Sequence, residues 1–195
     1  DSFMREQTNN IFTQSSRYGT FLKSMRHDAW IFGLYEDGIL RGGSLVGGIR
    51  AKRGSYLVMN YGPVLDFSHE KYLKVFTDYL VVFGKENKYH FLRMSPFVEA
   101  MPEFFSVSKK IGYRPAPIHI LAEHTWLLNL RKSSGFLFKN MNKNHRNLIN
   151  RCEREGVTVK ASSDLGALER LNDMHDVVAR RHNFQRFSRQ FISNE

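Results

Sequence analysis

Residues 30–60 read WIFGLYEDGILRGGSLVGGIRAKRGSYLVMN, and this stretch sets the class of fold. Residues 30–35 are an apolar, aromatic run of strand type. Glu36-Asp37-Gly38 is a strong hairpin signal, because Asp-Gly supplies the positive φ angles that a tight turn requires. Residues 39–50 resume as a strand carrying Gly42, Gly43, Gly47 and Gly48, which predicts bulges or close backbone approach. Residues 55–60 read as a third strand, closed by Tyr61-Gly62-Pro63.

Upstream, the segment to Met25 reads as a helix end, a short polar link and a second helix, SRYGTFLKSM. Downstream, Ser68 and residues 70–71 look like a helix start. Tyr72, Val75, Phe76, Tyr79, Leu80 and Phe83 then follow at helical spacing, and Gly84 with the polar KENK stretch is expected to end the helix. A short strand over residues 90–94 ends at Ser95-Pro96, since proline biases the residue before it away from helix. A helix is expected over residues 99–110, stopped by Gly112, with residues 113–117 as a rigid extended link. Residues 125–130 read as a strand, followed by a long basic helix to about Glu155 that Gly156 ends. Residues 157–161 read as another strand, and Asp164 caps a helix reaching about His182.

This order of hairpins and crossovers is mixed α/β (α+β), with no internal repeat. The strand-then-helix opening at Val157 looks like a second domain that stops before it can bury a core. The expected division is therefore residues 1–155 and 156–195, with the chain truncated near Glu195 and, lacking an initiator Met, trimmed at its start.

Hydrophobic residues make up 42 % of the 195, with 16 Phe and 8 Tyr, ample for a core and against general disorder. No apolar run approaches the roughly 18–20 residues of a membrane span, and the polar start lacks a signal-peptide core. A single cysteine, Cys152, excludes an internal disulfide or a cysteine-based metal cluster and fits a reducing, cytoplasmic location. His175 with Asp176 is a lone pair, so no metal site is expected. The formal charge of +10 attracts polyanions, and residues 131–160 concentrate it, with eight Lys/Arg against two Glu.

Residues 135–157, GFLFKNMNKNHRNLINRCEREGV, carry an apolar stripe of Leu137, Met141, Leu148 and Cys152. Lys139, Lys143, Arg146, Asn150 and Arg154 fall at spacings of three and four on a roughly common face. Cations with interleaved amides can track a phosphate backbone, though a solvated amphipathic helix would read the same way. Arg41-Gly42-Gly43-Ser44 is superficially like the glycine-rich turn of acyl-CoA-dependent acetyltransferases. It continues as a strand instead of opening a helix, so it reads as structural. No nucleophile elbow or Ser-His-Asp spacing occurs, and Asp66, Glu99, Glu103 and Glu123 are isolated. No catalytic residue is identified; an enzyme of this sequence would work by positioning and electrostatic stabilisation.

Five stretches, in order, carry a resemblance to the Fem-type (FemABX) peptidoglycan-bridge aminoacyltransferases: TQSSRYGTFLKSM, YLVMNYGPVLDF, FLRMSPF, TWLLNLRKSSGFLFKNMNKNHRNLINRCEREGVTV and LNDMHDVVARRHNFQRFSRQF. The resemblance implies a GNAT-like domain with a mixed sheet flanked by helices, plus the start of a second similar domain. It implies transfer of an amino acid from aminoacyl-tRNA to the stem peptide of UDP-MurNAc-pentapeptide or lipid II, with no cofactor and with peripheral contact at the inner membrane face. Lys23 resembles a lysine that holds the nucleotide-sugar diphosphate, and Arg186 an arginine of the second domain with the same job. Arg93 resembles a strand arginine, or is a structural ion-pair partner. Ser95 stands where the family usually has a carboxylate, and a hydroxyl cannot serve unaided as a general base. Tyr61, Gly62 and Pro63 line the acceptor cleft or simply close a strand. Lys139, Lys143, Arg146, Arg151 and Arg154 form the expected tRNA-facing surface. The rival readings are an acyl-CoA-dependent N-acyltransferase of the same fold and a non-catalytic basic RNA-binding module.

Overall fold

A computed structural model describes residues 1–52, 54–122 and 124–195. Arg53 and Glu123, the latter one of the isolated carboxylates, lie outside the described residues. Four strands, β1 (Asp28–Glu36), β2 (Ile39–Ala51), β3 (Gly54–Tyr61) and β4 (Phe91–Pro96), form one sheet in the order β1-β2-β3-β4. The first two pairings are antiparallel and β3–β4 is parallel, joined by the crossover helix α3 (Glu70–Glu86). Helix α1 (Ser2–Glu6), a 3-10 turn (Phe12–Gln14) and α2 (Ser16–Ser24) precede the sheet, and α4 (Pro102–Ile111) follows it. The fold is mixed α/β and GNAT-like, a mixed sheet flanked by helices.

The hairpin forms at Asp37 and Gly38, with φ of 52° and 76°. A bulge interrupts the same pair, because Leu34 faces Gly42 while Tyr35 faces Leu40. On one face of the sheet, Val46, Leu57 and Met59 pack against Leu73, Phe76 and Leu80 of α3. Burying side chains of this size contributes about 1.5–3 kcal/mol each. Trp30 and Phe32 meet Phe83 edge-on, both at 5.0 Å between ring centres. On the other face, α2 lays Leu22 against Ala29 and Leu45.

The chain divides into two compact units, residues 1–121 with 190–195, and residues 122–189. Within the first, Phe191 meets Phe21 edge-on at 5.1 Å, and Asn194 Nδ2 donates to the Ser24 carbonyl at 3.4 Å. The second holds α5 (Ser134–Asn140), α6 (Lys143–Arg154) and α7 (Leu165–His182). Asp164 caps α7 as expected, accepting from the Gly166 and Ala167 amides. Helix α8 (Arg189–Asn194) carries the chain from the second unit back into the first.

Four local expectations are corrected. Helix α3 runs through Gly84 to Glu86; a Cβ at Gly84 would sit 3.3 Å from Leu57 Cδ1, so this glycine marks close helix–sheet approach and not a stop. Helix α4 starts at Pro102, whose missing amide hydrogen suits a first turn, and not near Glu99. The long basic helix is broken: Met141 is extended and Asn142 caps α6 by accepting from the Asn144 amide. Residues 125–130 and 157–161 form no strand, since neither finds a ladder partner among the described residues. Trp126 is accordingly 82 % exposed and Val159 93 %.

Tyr89 ties the end of the crossover to the hairpin. Its hydroxyl donates to the Asp28 carboxylate, close above Gly48 where any Cβ would collide with it. Arg50 lies over its ring at 4.5 Å. Burial first, and then the Asp28 carboxylate, pushes the phenol from its ordinary 10.0 up to about 12. The fold favours the neutral phenol, so this contribution is complete below pH 10.0 and is lost as pH rises through about 12. Urea denaturation between those pH values should show wild-type stability falling more steeply than that of Tyr89→Phe, which is less stable than wild type at pH 8.

Candidate functional site

The antiparallel register Gly47↔Val58, continued by two residues, would set Leu45 opposite Asn60. The carboxamide of Gln14 stands there instead. Its Oε1 accepts from the Leu45 amide at 2.8 Å and from Ser44 Oγ at 3.0 Å. Its Nε2 donates to the Asn60 carbonyl at 2.7 Å, which also accepts from Thr13 Oγ1 at 3.0 Å. Gln14 is 4 % exposed, and backbone groups parted there would each cost about 1–3 kcal/mol if left unpaired. Beyond this wedge, Gly43 and Val64 exchange backbone hydrogen bonds at 2.9 and 2.8 Å.

Between wedge and bridge the chain leaves β3. Tyr61 adopts φ of 56°, a strained left-handed conformation for a bulky residue, which persists only where the surroundings enforce it. The next position admits only glycine, because a Cβ at Gly62 would lie 2.6 Å from both Gln14 Nε2 and Ser44 Oγ. The Tyr61 ring meets Phe97 edge-on at 5.6 Å.

The parallel register sets Ser95 beside Asn60 and Arg93 beside Val58. Val58 lies on the α2 face of the sheet, since the Cβ position of Gly47 touches both Leu22 and Val58 at 3.3 Å. Arg93 and Ser95 therefore share the α2 face with Val58 and Asn60, while Tyr61 stands opposite Pro96 at the carboxyl end of the parallel pair, where open α/β sheets bind ligands. Arg93 donates to the Ile118 carbonyl, its Nε is buried without a partner, and no carboxylate pairs with it among the described residues. The Oδ1 of Asn60 is likewise buried and unpartnered. Burial raises the Tyr18 phenol pKa, an effect that its contact with the Asn60 side chain opposes. Lys23 lies exposed in the last turn of α2, the helix that packs on β1 and β2. Arg41-Gly42-Gly43-Ser44 lies within β2, with Leu65 and the Val64 carbonyl pressed on Gly42, which leaves no open phosphate cradle.

In the second unit, the Arg186 guanidinium pairs with Asp176 Oδ1, while Arg189 takes Asp176 Oδ2 at 2.7 Å, Asp173 at 2.6 Å and Glu169 at 2.7 Å. The Arg186 guanidinium, and then that of Arg189, holds the Asp176 carboxyl below its ordinary range. Arg186 is thus built into a clasp on α7. The basic residues divide too. Arg146 donates to the Lys139 carbonyl at 3.0 Å and to that of Met141, bracing the break between α5 and α6. Arg151 pairs with Glu155 at 2.7 Å. Lys139, Lys143 and Arg154 remain without a carboxylate partner among the described residues. No helix there is long and apolar enough to cross a membrane.

A family model described as the FemAB family matches residues 1–103, which include Gln14, Tyr61, Arg93 and Ser95. The chain belongs to the FemAB family. A solved structure described as "Crystal structure of FemX" is similar to this FemAB chain at a TM-score of 0.80. Sequence identity to it is 17 %, across 99 % of this chain and 50 % of that one, so the likeness is one of fold. This FemAB chain spans about half the length of the FemX chain. No curated protein sequence matches it. Arg186 and the basic helices lie outside the matched residues.

Sequence reasoning named Tyr61, Arg93 and Ser95 as candidates but gave Gln14 and Asn60 no part. The Thr-Gln-Ser-Ser run carries an ordinary capping signal, and Ser15 does cap α2 by accepting from the Tyr18 amide. Overpacking at the turn makes Gly62→Ala cost about 1–3 kcal/mol in chemical denaturation, whereas Gly135→Ala, which meets nothing within 4 Å, should leave stability unchanged or slightly higher. Asp176→Asn should loosen the clasp and speed amide exchange over residues 184–188, with α3 unaffected.

Proposed function

We propose that this FemAB chain takes part in moving an amino acid from aminoacyl-tRNA to the stem peptide of a peptidoglycan precursor, UDP-MurNAc-pentapeptide or lipid II, in building interpeptide bridges. The observation that carries the reading is the family match over residues 1–103, a stretch that includes Tyr61, Arg93 and Ser95. On this reading the amine of the acceptor attacks the tRNA ester carbonyl. Tyr61 lines the acceptor cleft, Arg93 and Ser95 border it, and Lys23 contributes a point charge for the diphosphate. Ser95 orients and does not take the proton. Arg186 serves the diphosphate only after release from Asp176.

Residues 156–195 are read as the opening of a second GNAT-like domain. The location is cytoplasmic, with peripheral contact at the inner membrane face where the acceptor is lipid-linked. The donor is aminoacyl-tRNA and no cofactor is used. Lys139, Lys143 and Arg154, which no carboxylate engages among the described residues, make the tRNA-facing surface, with Arg146 and Arg151 shaping it.

Radiolabel from charged tRNA should appear on UDP-MurNAc-pentapeptide or lipid II when the full gene product is added, and prior RNase treatment should abolish it. Transfer to neither acceptor from a folded protein that still binds tRNA would defeat the reading. Each phosphate contact should contribute roughly one log unit of tRNA affinity per log unit of salt. Lys143→Glu combined with Arg154→Glu should therefore weaken binding and flatten that slope by about two; an unchanged slope would remove α6 from the tRNA surface.

A further inference from the structure

We infer that Gln14 is a positioning residue for acceptor binding, acting through Tyr61, which it holds at the carboxyl end of β3. This rests on the reading of Tyr61 as lining the acceptor cleft. The register of β2 and β3 would continue to Leu45 and Asn60, and the Gln14 carboxamide takes the place of that pair. With the pair parted, the end of β3 loses β2 while keeping β4. Its last residue, Tyr61, opposite Pro96, sits at φ of 56°. Nothing in its own side chain favours such a backbone.

Contacts on both sides of Tyr61 hold the turn in place. The Asn60 carbonyl, immediately before Tyr61, accepts from Gln14 Nε2 at 2.7 Å and from Thr13 Oγ1 at 3.0 Å. Gly62, immediately after, abuts Gln14 Nε2 and Ser44 Oγ so closely that no Cβ fits. Ser44 Oγ in turn donates to Gln14 Oε1 at 3.0 Å. Gln14 thus grips Tyr61 from both sides along the backbone and is itself 4 % exposed, out of reach of any substrate. Tyr61 stands opposite Pro96 in the parallel pair, with its ring edge-on to Phe97.

The test uses the full chain labelled with 3-fluorotyrosine, with the Tyr61 signal assigned by Tyr61→Phe and followed by fluorine NMR, beside calorimetric binding of UDP-MurNAc-pentapeptide. Gln14→Met should move or broaden the Tyr61 signal while those of Tyr89 and Tyr113 stay in place. Acceptor affinity should fall about tenfold, the scale of one lost orienting contact. In a Tyr61→Ala background the same change should cost no further affinity, because two residues acting through one contact are not additive. Gln14→Glu repels the Asn60 carbonyl when ionised and donates to it when protonated, so acidification should restore its Tyr61 signal. Should Gln14→Met fail to fold, Ser44→Ala decides the matter by a smaller shift in the same direction. An unmoved Tyr61 signal in a folded variant, or full additivity with Tyr61→Ala, would overturn the inference. If wild-type chain binds no UDP-MurNAc-pentapeptide, the acceptor reading falls, and the Tyr61 signal alone then tells whether Gln14 sets its position.

Discussion

Two strands that would pair at Leu45 and Asn60 are instead held apart by one buried carboxamide, and much of the first unit follows from that insertion. Backbone amides and carbonyls separated inside a protein need new partners. Gln14 supplies both an acceptor and a donor from a single planar group, meeting Leu45 on one strand and Asn60 on the other. The same side chain anchors the 3-10 turn that leads into α2, so the helix that covers one sheet face and the turn that ends β3 share one fastening. Because the group is buried, its hydrogen bonds are shielded from water and stiffen what they join.

The opposite sheet face supplies the rigidity against which this wedge works. Leu57, Met59, Leu73 and Leu80 are almost wholly enclosed, and the Trp30, Phe32 and Phe83 rings interlock edge to face. A strained backbone at Tyr61 is tolerable only beside such a core. The second unit is organised on another basis: charge. Its α7 carries Glu169, Asp173 and Asp176 at helical spacing, and two arginines from the following segment close on them.

Features that depend on neighbours in sequence were legible from sequence. The Asp37-Gly38 turn, the apolar spacing of α3 and the Asp164 cap of α7 are local chemistry, and each stands where the residues put it. Features that depend on distant partners were not. Gly84 looks like a helix stop until Leu57 is placed against it. The apolar runs at 125–130 and 157–161 have strand composition, yet a strand exists only with a ladder beside it. At the site, Tyr61, Arg93 and Ser95 came from a family resemblance over short motifs, which preserves residue identity without explaining it. Gln14 sat inside one of those motifs and stayed silent, because its function is a matter of register between β2 and β3. No pattern of period two or 3.6 encodes register.

The wedge also bears on how such a chain can change over generations. Asparagine has the right chemistry at position 14 but is one carbon too short to reach both strands. A glutamine codon leads by single-base changes to glutamate, lysine, arginine, histidine, leucine, proline or a stop. Glutamate, ionised, has no donor; lysine and arginine have no acceptor; leucine and proline side chains have neither; histidine's two ring nitrogens point apart. Every one-step path from this residue thus passes through a protein with strand ends left unpaired, and only paired changes in the facing strands could open a way around it.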